Sequence, residues 1–197
     1  MYNKPKVTTR DFSFGPGVLY LAALTPGVAP IVAASLETEA YDVGSVRAGA
    51  NLAITRDELV VEQGTPATRV KSYITKETAT FSITGIEWNL NNLRHALGAG
   101  ERYGATGVGG SLGFGGDMTR EQVQMMYVHK TPASETVKLF MWVAEGSGGV
   151  TLTWAADLHE FPASFGLVGG STPDWEKGGT NELGDRDNLF RITYSVT

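Results

Sequence analysis

The chain has 197 residues, 42% of them hydrophobic and 19% charged, with 25 Gly, 8 Pro and no Cys. Such a length suits one domain with a sizeable core, and the apolar content argues against disorder. The lack of Cys excludes disulfides, thiol nucleophiles and Cys-based metal sites, and 16 basic against 21 acidic residues, a formal charge of −5, disfavours a basic nucleic-acid-binding face.

In chain order, the first feature is a stretch without charge between Asp11 and Glu37, preceded by Lys4, Lys6 and Arg10. The run Val18–Leu24, with Ala33, Ala34 and Ser35 behind it, has the outline of a secretion leader. Gly15, Pro16, Gly17, Pro26, Gly27 and Pro30 interrupt it, and a spanning helix needs about 20 unbroken apolar residues. Val18–Leu24 is therefore expected to be a buried strand between two turns, with no membrane partner.

Further strands are expected at Ala48–Ile54, Leu59–Glu62 and Val70–Thr75, where β-branched and aromatic residues gather. In Thr78–Thr84 the alternation is strict: Ala79, Phe81 and Ile83 on one face, Thr78, Thr80, Ser82 and Thr84 on the other. The period then changes. Asn89–Leu97 reads as a short helix with Asn89 as N-cap, Leu90, Leu93 and Leu97 as its packing stripe, Trp88 and Leu93 as a hydrophobic staple, and Gly98 as a left-handed stop. Strands return at Val123–His129, Val137–Val143, Val150–Trp154, Phe161–Val168 and Leu189–Val196. Val137–Val143 looks covered on both faces, and in Leu189–Val196 the apolar face is Phe190, Ile192, Tyr194 and Val196. Residues 104–116 and 169–184 are Gly-rich and read as long loops. The expected fold is all-β with one short packed α-helix, a β-sandwich or barrel with one open side covered, forming a single domain over residues 1–197.

Chemical machinery is hard to find. His95, His129 and His159 lie far apart with no metal-ligand spacing, so no metal site is expected. The Gly-rich segment lacks the Gly-Lys-Ser/Thr ending of a phosphate loop, and no Gly-x-Ser-x-Gly elbow occurs. Carboxylate pairs such as Asp57-Glu58 and Asp185/Asp187 give no positive support for a glycosidase, although a hydrolase with an unfamiliar carboxylate pair stays as a third reading. Trp142, Trp154 and Trp175 offer a possible sugar platform, although Trp in strands more often serves a core or an interface. No catalytic residue and no cofactor are expected. A structural or binding protein is favoured over an enzyme.

Residues 42–98 carry a more specific pattern. Asp42-Val43-Gly44-Ser45-Val46-Arg47 leads to a strand and then to Thr55-Arg56-Asp57-Glu58-Leu59-Val60-Val61-Glu62-Gln63-Gly64. Val70 and Ile74, then Glu77-Thr78-Ala79-Thr80-Phe81-Ser82-Ile83, Ile86-Glu87 and Asn92-Leu93-Arg94-His95-Ala96-Leu97-Gly98 follow. This ordered series resembles the tail tube (major tail) proteins of bacteriophages with long non-contractile tails. The resemblance implies a β-sandwich or barrel of the tail tube type. Its subunits form six-membered rings that stack into a tube for DNA passage in the virion tail, assembled in the host cytoplasm. The implied partners are further copies of the chain, the tape measure protein and DNA in the lumen, and the tail tip and terminator proteins. The charged loop around Arg56–Arg69, with Arg56, Asp57, Glu58, Glu62 and Arg69, is the candidate inter-ring contact. The hydroxyl face Thr78, Thr80, Ser82 and Thr84 is the candidate lumen lining, while Glu77 shares parity with the opposite face. The rival reading is a carbohydrate- or receptor-binding β-sandwich on a virion surface.

Overall fold

The computed structural model describes residues 2–25, 28, 30–46, 49–87, 89–104, 110–116, 120–131, 135–147, 150, 160–169, 172–174, 179–181 and 189–196. It is mostly strand. The elements are β1 (Tyr2–Phe14), β2 (Gly17–Ala23), a 3-10 turn (Ala33–Ser35) running into α1 (Leu36–Glu39), β3 (Tyr41–Val46), β4 (Ala50–Gln63) and β5 (Thr68–Glu87). Then follow α2 (Leu90–Leu97), β6 (Glu101–Tyr103), β7 (Ser111–Gly113), β8 (Gln122–Lys130), β9 (Glu135–Gly146), β10 (Glu160–Leu167), β11 (Thr172–Asp174), β12 (Gly179–Asn181) and β13 (Phe190–Val196).

Nine strands form one antiparallel sheet in the order β1-β4-β5-β10-β9-β8-β2-β3. The remaining strand, β13, shares an edge of β9 with β10: it pairs along Glu135–Met141, and β10 pairs along Ala144–Gly146. The sheet forks at that point. It also curls, bringing β3 alongside β5 without hydrogen bonding the two. The curled interior is filled by Leu19, Leu21, Leu52, Phe81, Ile83, Met125, Tyr127, Met141, Phe161 and Phe165, each at most 2% exposed. Burying one such side chain is worth about 1.5–3 kcal/mol relative to exposing it. A second cluster lies on the opposite face of β8 and β9, where Met126, Val128, Phe140, Trp142 and Val143 pack under Ala33 and Leu36. Buried Gln124 helps hold that cover, its Nε2 donating to the Ile31 carbonyl at 2.9 Å.

The all-β class and the packed helix are as expected from the sequence, and β9 is indeed covered on both faces. Several expectations need correction. Ala48–Ile54 and Leu59–Glu62 merge into β4, and Val70–Thr75 merges with Thr78–Thr84 into β5. The supposed loop Arg56–Arg69 is therefore two paired strands with a turn only at residues 64–67. Charge does not break a strand whose side chains project into water while its backbone stays in a ladder. The short α1 was not anticipated. The Gly-rich stretches are not wholly loops: β6 pairs with β7, and β11 with β12. In β13 the alternation exists, and Phe190 packs against the main core, but the apolar face runs out of it from Ile192 to Tyr194. Ile192 is 40% and Tyr194 59% exposed, because this strand lies at the margin of the sheet. Strand β1 escaped notice because Lys4, Lys6 and Arg10 blur its pattern. Residues 151–154, at the end of the expected Val150–Trp154 strand, and Trp88 of the expected staple lie outside the described residues.

Candidate assembly surface

The hairpin of β4 and β5 extends well beyond the core. In β5 only the Ala79–Glu87 half contains buried positions, whereas Thr68–Thr78 is exposed throughout except for half-buried Ser72. The β4 strand follows this only in part: Ala50, Leu52 and Ile54 are buried and the stretch 55–59 half-buried, but Val60, out on the arm, is buried again. β1 pairs with β4 over its whole length, so the projecting arm is three strands wide. Two register shifts, between Asp57 and Glu58 and between Val61 and Glu62, each place an extra β5 residue against β4. Such bulges bend and twist a ladder. On the arm Val70, Tyr73 and Ile74 are 61%, 48% and 56% exposed, a concentration of large apolar side chains that sequence alternation alone did not single out.

Four of the five proposed contact residues share one face. Arg56, Glu58 and Glu62 continue the parity of Ala50, Leu52 and Ile54 along β4, and Arg69 reaches over to the same side. Arg56 Nη2 lies 2.7 Å from Glu77 Oε1 directly opposite, so Glu77 keeps the core-side parity just past the end of the core. Arg69 Nη2 is 3.4 Å from Glu58 Oε2 and donates to Ser72 Oγ at 2.6 Å. Asp57 sits on the reverse face, opposite Lys76 in the ladder. Exposed pairs of this kind contribute about 0–1 kcal/mol, so the backbone ladder rather than the charges maintains the arm.

The proposed lumen residues share the face away from the core. Thr78 and Thr84 are exposed, Thr80 is half-buried, and Ser82 Oγ lies 3.0 Å from Ser164 Oγ of β10. Their ladder neighbours Asn51, Ala53, Thr55 and Gly166 are small or polar, which makes a smooth hydroxyl-rich surface across three strands. Thr84 stands at a bulge beside Gly85, whose φ of +86° a β-carbon would strain.

β5 leads straight into α2. The Asn89 side chain accepts from the Asn92 amide at 2.8 Å, and Gly98 closes the helix at φ +64°. A β-carbon on Gly98 would come within 2.9 Å of the Gly146 carbonyl oxygen, so glycine is required on two counts. Leu93 is buried, Leu97 packs on the main core, and half-buried Leu90 lies toward Gly110 beyond β6. Buried Asn92, missed by the sequence reading, donates to the carbonyls of Glu87 at 2.8 Å and Val43 at 3.2 Å. On the outer side of α2, Glu121 Oε1 is 3.1 Å from Arg94 and Oε2 is 3.3 Å from His95 Nδ1. Burial pushes the Glu121 carboxyl up, but the close approach of His95 and the charge of Arg94 outweigh it and hold it below its ordinary value. These residues border a cleft of about 720 Å³ that also meets Leu21, Glu39, Tyr41 and Asn91.

No known family model matches the chain, and no curated protein is significantly similar to it.

The remaining candidates fare unevenly. Trp142 is fully buried, stacked on Phe140 with centroids 5.9 Å apart, and cannot serve as a sugar platform. Trp154, Trp175, His159, Asp185 and Asp187 lie outside the described residues. Asp57 and Glu58 point to opposite faces of β4. His129 Nδ1 lies 2.6 Å from the Pro16 carbonyl oxygen. Among the described residues no three His, Asp or Glu side chains gather as a metal site. Three strands of the main sheet, β1, β3 and β13, pair on one side only among the described residues.

Proposed function

We propose that the chain is a structural subunit of a tail tube of the kind found in long non-contractile-tailed bacteriophages, assembling as six-membered rings stacked around a channel for DNA. The observation that carries this reading is the incomplete surface of the single copy. β1, β3 and β13 leave one margin each without a partner among the described residues, and the arm exposes Val70, Tyr73 and Ile74 far from any core. Unpaired margins invite edge-to-edge addition, and a closed ring of copies satisfies them. The hydroxyl face of Thr78, Thr80 and Ser82 suits a bore that wets DNA without gripping it, and the net negative chain adds repulsion. On this reading the tape measure protein and DNA occupy the lumen in turn, and the tip and terminator proteins meet the two ends. The location is the virion tail. The carbohydrate-binding alternative loses its described platform residue, since Trp142 is buried. Sedimentation velocity over a concentration series tests the proposal: the expected record is conversion of a slow species to rings and longer polymers, and an unchanging monomer contradicts it.

A further inference from the structure

We propose that the cleft beside α2 binds a small dipolar molecule of the ω-amino acid type, its carboxylate toward Arg94 and Arg102 and its ammonium toward Glu39. The inference does not depend on the tube-subunit reading.

The cleft exists because small residues stand where larger ones would fill it. Ala22 and Ala23 end β2, Ala40 joins α1 to β3, and Gly104 follows β6. Its volume of about 720 Å³ lies within the roughly 300–1,000 Å³ typical of small-molecule sites. One wall is α2. Asn91, Arg94 and His95 recur at i, i+3 and i+4, so they share one helix face, and β6, which contacts α2, adds Arg102. The other wall is Glu39, Ala40 and Tyr41, at the junction of α1 and β3. The two walls meet where Asn89 Nδ2 donates to Tyr41 Oη at 3.1 Å.

Charge is divided between the walls. Glu121 comes to α2 from the approach to β8, its carboxylate oxygens 3.1 Å from Arg94 Nη2 and 3.3 Å from His95 Nδ1. It offsets one of the two guanidiniums, so with His95 neutral the described residues of the α2 wall keep one positive charge. On the other wall Glu39 is exposed and makes no ion pair among the described residues. A ligand with a single charge answers one wall only, whereas a zwitterion answers both. Between the walls the alanine methyls, with Leu21 and Ile31, suit a short methylene chain. Much of the site is set in advance. The Glu121 amide donates to the Gly98 carbonyl at 2.8 Å, and Asn89 holds Tyr41, so binding has little protein left to order.

Amide shifts of the isotope-labelled, unassembled chain at low salt, where charge attraction is least screened, test the proposal with glycine, β-alanine, γ-aminobutyrate, δ-aminovalerate and ε-aminocaproate. These probes differ in the spacing of their two charges, so one or two of them should bind best, moving the amides of Ala22, Ala23, Asn91 and Arg94. Butyrate and butylamine, which answer one wall each, should bind about fivefold more weakly than the best of the series. Glu39→Gln, at an exposed position, should bring that best amino acid down to the level of butyrate and leave butyrate itself unchanged. Butyrate or butylamine binding as tightly as the best amino acid would overturn the dipolar assignment. No shift with any of the series, shifts confined to residues away from the cleft, or full affinity in Glu39→Gln would overturn it as well. None of these results bears on whether the chain forms tubes.

Discussion

Arg56 and Glu77 face each other across β4 and β5, Nη2 to Oε1 at 2.7 Å, at the row where the buried alternation of β5 begins and that of β4 is interrupted until Val60. On one side of this pair lie Ile54 and Ala79 of the core, and on the other lies an arm whose β5 strand is almost wholly exposed while β4 is half-buried, with Val60 buried. On the tube-subunit proposal, the pair marks the boundary between the folded core and the surface that assembly covers.

Reversing one charge at this boundary separates the two. The side chains are 40% and 34% exposed, so Arg56→Glu should cost the isolated chain no more than about 1 kcal/mol, or a melting-temperature shift of about 2–4 °C. Polymerisation should suffer far more, and Glu77→Arg in the same chain should restore it. Thermal melts and sedimentation of the three variants check this.

Asn92 fastens α2 to both β3 and β5 by its bonds to Val43 and Glu87. Asn92→Ala should destabilise the chain by about 1–3 kcal/mol, since two carbonyls at a buried position lose their donor. Asn89→Ala, which removes only the cap, should cost about 1 kcal/mol. Urea denaturation measures both.

These two sites show how far the sequence was readable. The cap, the stripe and Gly98 of α2 follow from local chemistry that any chain of this pattern obeys. Asn92 does not, because its role depends on Val43, a residue distant in sequence that the fold brings to it. The arm was misread for a related reason. The charged stretch from Arg56 looks like a loop when burial is the only reason for a strand, yet here the ladder between β1 and β5 supplies the reason. The cluster of Glu121 with Arg94 and His95 left no signal, because the fold brings Glu121 to α2, its amide donating to the Gly98 carbonyl at 2.8 Å. In β13 the period was right, but only Phe190 reaches the core, because alternation reports a strand's two faces and not how far along the strand either stays covered.

Tyr127 should govern behaviour in alkali. Its hydroxyl donates to the Gly15 carbonyl at 2.5 Å, and burial pushes its pKa up to about 12 from 10.0. The folded chain keeps a proton that the unfolded chain releases, so this contribution is complete below pH 10.0 and is lost as pH rises toward 12. Tyr127→Phe should lower stability by about 1 kcal/mol at neutral pH and flatten its decline in that alkaline window. Denaturation at stepped pH reads the difference.

Glu121 should act at the acid end. Its folded pKa lies below 4.5, so its contribution is present above that value and disappears as pH falls through the folded pKa. Glu121→Gln should therefore melt below the parent at neutral pH, with the gap closing under acid conditions. A parallel gap at all pH values would show that packing, not charge, sets the effect.

Negative-stain electron microscopy of the concentrated chain, alone and with a tail-tip initiator, tests the incompleteness of the single copy most directly. Hollow tubes or stacked rings of one diameter are the expected image. Fields of separate small particles at every concentration, with and without the initiator, would contradict it.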